Sequence, residues 1–287
     1  MNYCQAPRAV IKKPALALPP LACDCHAHIL GPPSDYPYVA NRSYTPPDAL
    51  PSDYLRMLGT LGLQRGVVVQ ASCYGEDNRR TIAAVRELGV HRTRGVVMVG
   101  ASITERELQA MHDAGIRATR FITTAKGGPT LDQLKDVAAR VAPFGWAVEM
   151  YIPINAWPDV LPIVEKLPVP VVFDHMGGMM AGTPHDDPVF RRIMTLLEGG
   201  RCWTKLTGYR PSVAGPPYDD VAPLARQFIA RAPDRCVWGT DWPHTNLEGH
   251  MPDDGELLDQ LGTWVDDEAT LVKILVDNPA RLYGFNA

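Results

Sequence analysis

Nowhere in this 287-residue sequence does an apolar run approach the roughly 20 residues a membrane-spanning helix needs, so no membrane partner is expected. Residues 15–18 are apolar, but Pro14, Pro19 and Pro20 interrupt any signal-peptide layout, and a cytoplasmic location is expected. There is no basic excess: Lys and Arg number 28 against 32 Asp and Glu, a formal net charge of −4. Without a positive field or a block of like charge, a nucleic-acid partner is not expected either. The six cysteines include no CxxC pair and read as buried small hydrophobes rather than a disulfide framework. Strict strand alternation would point Cys23 and Cys25 away from His26 and His28, so they are not expected as metal ligands.

What the chain does have is a repeated alternation. Short apolar runs at 22–28, 66–70, 95–99, 118–122, 146–152, 169–175, 202–206 and 236–240 have the length and composition of buried strands. Amphipathic segments at 51–61, 78–88, 104–114, 131–142, 157–167, 188–199 and 221–232 lie between them. Ser52 or Asp77 would serve as caps, and Gly62, Gly89 and Gly115 as stops. Residues 267–275 and 277–284 would close the ring. This repeat predicts an α/β fold, a single (β/α)8 TIM barrel over residues 21–287, preceded by an extended, proline-rich segment at 1–20. A doubly wound sheet is the runner-up, but it usually carries a glycine-rich phosphate turn after its first strand, where this chain has His26-Ala27-His28. The stretch 31–51 is too long for a tight turn and is expected to cover or complete a site.

Three polar clusters end three of the apolar runs: Asp24-Cys25-His26-Ala27-His28, Asp174-His175, and Asp241-Trp242-Pro243-His244. Alternation places Asp24, His26 and His28 on one inward face, with Cys25 and Ala27 against the helices. His175 and Asp241 close their strands, and functional residues of a barrel collect at that C-terminal mouth. A lone histidine is commonly just a hydrogen-bonded core residue. Four strong polar groups at the ends of unrelated strands have no such packing reason. His91, His112, His185 and His250 read as surface residues.

The combination of His-x-His on strand one with Asp at the end of strand eight resembles the amidohydrolase superfamily. Asp24-Cys25-His26-Ala27-His28-Ile29-Leu30-Gly31-Pro32, Tyr44-Thr45-Pro46-Pro47, Asp174-His175-Met176-Gly177 and Gly239-Thr240-Asp241-Trp242-Pro243-His244 are similar to the branch of 2-pyrone-4,6-dicarboxylate lactonases. The resemblance implies a hydrolase that opens a small carboxylated lactone of aromatic-acid or sugar-acid catabolism. Asp241 would activate water, and His26, His28 and His175 would polarise the carbonyl. A zinc-dependent decarboxylase and a lactone isomerase are the alternatives from the same superfamily. A barrel that has lost its chemistry would be expected to have lost part of the constellation, which is intact.

The superfamily commonly completes a metal site with a carboxylated lysine on strand four and a histidine on strand five. Here strand four carries Arg120 and strand five Glu149 and Tyr151. His26, His28 and Asp241 would hold a single divalent ion such as zinc if one is present, but the branch implies that none is required. For a small anionic lactone, Arg120, Lys126 and Arg210 would supply cations and Tyr44, Ser72, Tyr151 and His244 further donors. Lys205 would pair with Glu149 or Asp24 inside the barrel. One departure bears on the substrate: Gly178 stands where the branch tends to carry an arginine. The sequence leaves the oligomeric state open.

Overall fold

The computed structural model describes residues 2–247 and 249–286. The eight apolar runs become eight parallel strands hydrogen-bonded in sequence order. They are β1 Cys23–Ala27, β2 Arg65–Val69, β3 Thr93–Val97, β4 Ile116–Ile122, β5 Ala147–Tyr151, β6 Val171–Phe173, β7 Cys202–Leu206 and β8 Cys236–Trp238. Each is followed by a helix: α1 Pro51–Leu61, α2 Arg79–Leu88, α3 Glu105–Asp113, α4 Leu134–Val141, α5 Trp157–Val164, α6 Pro188–Glu198, α7 Ala222–Arg231 and α8 Asp254–Trp264. Glu268–Val272, the π turn Lys273–Asp277 and Asn278–Tyr283 complete the ring. Among the described residues no helix is long and apolar enough to cross a membrane.

Local chemistry sets the helix ends. Thr104 and Glu107 form a reciprocal capping box ahead of α3, and Asp187 accepts from Val189 N and Phe190 N at α6. At α1 the expected cap is corrected: Ser52 lies inside the helix, and Asp53 accepts from Leu50 N at 3.0 Å. Helix α8 is not among the helices expected from the sequence, and no capping role is expected for Asp253. Asp253 instead caps α8, accepting from Gly255 N, and also accepts from Lys12 N at 3.1 Å. The proline-rich N-terminal segment is thereby tied along α8, with Asp259 accepting from Leu16 N at 2.9 Å. Asn2–Tyr3 pairs in parallel with Tyr44–Thr45 in the long loop after β1.

The barrel interior carries one correction. Cys23 and Cys25 pack with Val67, Val69, Val96, Ala118, Ala147, Val172, Trp203 and Val237, a ring drawn from all eight strands. They therefore face inward, and Asp24 faces outward. The register of β1 shifts between Asp24 and Ala27, and this bulge lets Cys25 and His26 follow one another on the inner side.

Asp24 has a different use, at the seam between the last and first strands. Its Oδ1 accepts from Thr240 N at 2.9 Å and His26 N at 3.1 Å, and its Oδ2 from Thr240 Oγ1 at 2.8 Å and Tyr54 OH at 3.0 Å. Burial raises its carboxyl to about 6 against the pull of these hydrogen bonds. Backbone contacts continue the seam, with Asp241 N donating to His26 O at 2.8 Å and His28 N to Trp242 O at 2.7 Å. A Cβ on Gly239 would meet His26 N and Cβ at 2.7 Å, so only glycine permits this approach.

Candidate active site

The seam delivers His26 and His28 from β1 and Asp241 from the end of β8 to one point. His26 Nε2 is 3.6 Å and His28 Nε2 3.5 Å from Asp241 Oδ1. His28 Nδ1 is fixed 2.7 Å from Val69 O. His175 joins them, its ring 4.8 Å from that of His26 and its Nδ1 2.9 Å from Thr207 Oγ1. It does so from beyond the strand it was expected to close: β6 stops at Phe173, and His175, Met176 and Gly177 turn with φ of 51°, 54° and 71°. Asp241 and His244 share this left-handed conformation, at φ 62° and 61°. Such backbone costs a non-glycine residue about 1 kcal/mol or more, and here it is spent on aiming side chains at the mouth.

Electrostatics sets the protonation states. Burial opposes charge on Asp241, but the Arg210 guanidinium outweighs it and holds the carboxyl well below its usual range. Arg210 Nε and Tyr209 OH both donate to Asp241 Oδ2 at 2.6 Å, leaving Oδ1 toward the histidines. Burial lowers His175 to about 4, although Asp241 and Asp174 pull the other way. His26 is also held well below its usual value, by burial and by Lys205. Both rings are neutral near pH 7.

Beneath the histidines lies a buried ionic layer. Lys205 Nζ donates to Glu149 Oε2 at 2.6 Å, lies 3.3 Å from Asp174 Oδ1 and reaches His26 Nδ1 at 3.2 Å. Of the two partners expected for Lys205, Glu149 is the one present, and Asp24 faces away. Arg120 Nε donates to Asp174 Oδ2 at 3.0 Å, and Tyr283 OH closes the floor on Glu149 Oε1 at 2.7 Å.

Above this layer a cavity of about 90 Å³ is lined by His28, His175 and Asp241, with Tyr44, Ser72, Arg120, Tyr151 and Arg210 around them. Ser72 Oγ donates to Tyr44 OH at 3.3 Å, and the Tyr151 ring packs 4.7 Å from that of His175. Larger clefts exist under the N-terminal segment and at the opposite end of the barrel, but neither touches this chemistry.

Residues 23–285 match the family model described as amidohydrolase. The chain belongs to the amidohydrolase family. Within it, a 2-pyrone-4,6-dicarboxylate hydrolase of Comamonas testosteroni is 39% identical over 94% of this chain and 92% of its own. A 4-sulfomuconolactone hydrolase of Rhizobium radiobacter is 36% identical over 98% of this chain and 96% of its own. An apo crystal structure from Agrobacterium tumefaciens superposes with a TM-score of 0.87 at 34% identity, covering 95% of this chain and 99% of that one.

Two expected substrate contacts of this amidohydrolase lie outside the cavity lining. Lys126 is exposed, its backbone N donating to Ser43 Oγ at 2.9 Å. His244 is buried behind Tyr209, its Nε2 3.1 Å from Asp254 Oδ1 of the unforeseen helix α8. Asp174, Tyr209, Thr245 and Asn246 were not singled out from the sequence, yet the first two hold the charged groups and the last two line the cavity. Asp174 had a signal: a carboxylate ending an apolar run while Arg120 and Lys205 enter the same interior. At Gly178 φ is +73° and a Cβ would meet Ile152 O at 3.1 Å, so this turn as built does not accept the arginine common in the branch.

Proposed function

We propose that this enzyme hydrolyses a small lactone bearing an anionic group, with Asp241 as the general base. The observation that carries the reading is the placement of the buried Asp241, its Oδ2 accepting from Arg210 and Tyr209 and its Oδ1 facing His26 and His28. Asp241 removes a proton from the attacking water as its oxygen bonds to the lactone carbonyl carbon. His175, which lines the cavity, polarises that carbonyl, while His28 and His26 hold the attacking water beside Asp241. The tetrahedral adduct then expels the ring oxygen, which takes the proton back from Asp241. A cyclic ester is activated enough for this set of groups.

The anionic group falls to Arg120 and Arg210. The hydrogen bonds described above use two of the five N–H groups on each guanidinium, Arg120 also donating to Gln70 O and Arg210 to Thr245 O. The names of the two curated relatives, a dicarboxylate and a sulfonate lactone, support an anionic substrate class. Gly178 in place of arginine favours a substrate with fewer carboxylates than the pyrone dicarboxylate, or with them differently placed.

No metal is required in this reading. The donor atoms of His26, His28 and Asp241 lie close enough to share an ion. However, an ammonium stands 3.2 Å from His26 and a guanidinium 2.6 Å from Asp241. The buried cations Lys205, Arg120 and Arg210 are already matched by Glu149, Asp174 and Asp241, so a divalent ion would add uncompensated positive charge to a buried site. The donor set as built therefore does not fit one.

The test is turnover of 2-pyrone-4,6-dicarboxylate, 4-sulfomuconolactone and mono-carboxylated lactones, with NMR identification of product. The reading expects a ring-opened acid. An isomeric lactone as sole product would replace hydrolysis with acyl migration, and carbon dioxide release would indicate decarboxylation.

A further inference from the structure

Three buried polar atoms around the His26 ring lack hydrogen-bond partners: Asp174 Oδ1 beside the Lys205 ammonium, and His26 Nε2 and Asp241 Oδ1, which are 3.6 Å apart. What His26 offers there depends on its other nitrogen. Lys205 Nζ, flanked by the Glu149 and Asp174 carboxylates, lies 3.2 Å from His26 Nδ1. An ammonium carries donors only, so Nδ1 accepts and the proton of the neutral ring sits on Nε2. Asp174 Oδ1, the acceptor that would reverse this, is 3.6 Å from Nδ1, beyond a hydrogen bond.

We propose that Lys205 is a positioning residue that fixes His26 as the Nε2–H tautomer, converting a set of metal-ligand residues into a cradle for the attacking water. The proposal rests on the reading of Asp241 as general base. His28 Nδ1 donates to Val69 O, so its Nε2 in the neutral ring presents a lone pair. The three converging atoms are thus one donor, His26 Nε2–H, and two acceptors, His28 Nε2 and Asp241 Oδ1. Their demand is one acceptor and two donors, which a single water supplies while keeping its second lone pair for the carbonyl carbon. A divalent cation needs a lone pair from all three and is offered two. The water's proton passes to Asp241 Oδ1 as its oxygen forms the bond to the carbonyl carbon, and the carbonyl π pair moves onto the carbonyl oxygen. The chemistry a metal supplies elsewhere in the fold is here divided between a lysine under the ring and an arginine behind the carboxylate.

The test is 15N NMR of chelator-treated protein labelled at histidine, with His26 assigned by its loss in His26→Gln. The expected spectrum has a pyrrole-type Nε2 and a pyridine-type Nδ1, and dialysis against zinc leaves well below one equivalent. In the double variant Lys205→Met, Glu149→Gln, which removes a buried cation with one of its anions, the proton moves to Nδ1 and zinc uptake rises toward one per chain. A pyrrole-type Nδ1 or stoichiometric zinc in the unmodified protein would overturn the proposal. So would an unchanged tautomer in the double variant. If that variant does not fold, the spectrum of the unmodified protein decides alone. Neither readout uses a lactone, so a failed substrate assignment is distinguishable from a failed tautomer assignment.

Discussion

Arg210 Nε donates to Asp241 Oδ2 at 2.6 Å, so the cation expected to clamp a substrate carboxylate is first a partner of the proposed catalytic base. The pair keeps Asp241 ionised in a fully buried position, where burial alone would protonate it.

Arg210→Gln is therefore expected to change the pH profile and not only substrate affinity. Asp241 acts as a base only when ionised, and its folded pKa is depressed. Activity is then present above that pKa and lost as pH falls through it. Removing the guanidinium raises the pKa, and the acid limb of kcat/KM should move up by about one pH unit or more. An unmoved limb with a raised KM would reduce Arg210 to a substrate clamp.

Arg120→Ala is expected to cost stability as well as affinity. Arg120 is buried, and its Nε holds Asp174 Oδ2 at 3.0 Å. Breaking a buried ion pair from one side costs about 3–5 kcal/mol, because the other charge stays behind. Denaturant unfolding should report a loss of this order alongside a raised KM. Unchanged stability would mean that Lys205 alone satisfies Asp174.

Asp24 should leave a mark on stability against pH. Its folded carboxyl is raised to about 6, above the roughly 3.9 of an unfolded chain. A raised carboxyl stabilises while both states are protonated, and that contribution is lost as pH rises through the folded value. The loss is on the order of 2–3 kcal/mol between about pH 4 and 6. Asp24→Asn keeps an acceptor for Thr240 N and His26 N but removes the titration. Unfolding free energies at pH 4.5 and 7 should therefore differ less in the variant than in the unmodified protein, and equal differences would contradict the assignment.

The barrel was legible because parallel strands buried on both faces must be written as continuous apolar runs, such as Val67-Val68-Val69 and Val171-Val172-Phe173. The four polar groups that converge at the mouth were legible for the same reason, as His26, His28, His175 and Asp241 interrupt or end such runs. What alternation could not foresee was the bulge in β1. A single register shift sends Asp24 to Tyr54 and Thr240 and brings Cys25 inside. Nor does any local pattern reveal that His244 meets Asp254, since the helix supplying Asp254 opens with a glycine at its second residue. The pairing of cations with anions across strands, Arg120 with Asp174 and Arg210 with Asp241, is tertiary information. A list of charged strand ends names the participants but not their partners.

The most direct test is kcat of Asp241→Asn against the unmodified enzyme, both freed of metal by chelation, on whichever anionic lactone of the panel is opened fastest. The account predicts sustained turnover by the metal-free unmodified enzyme and a fall of about 100-fold or more in the variant, the scale of a lost general base. Near-normal turnover in the variant, or an unmodified enzyme that is inert until zinc is restored, would contradict it.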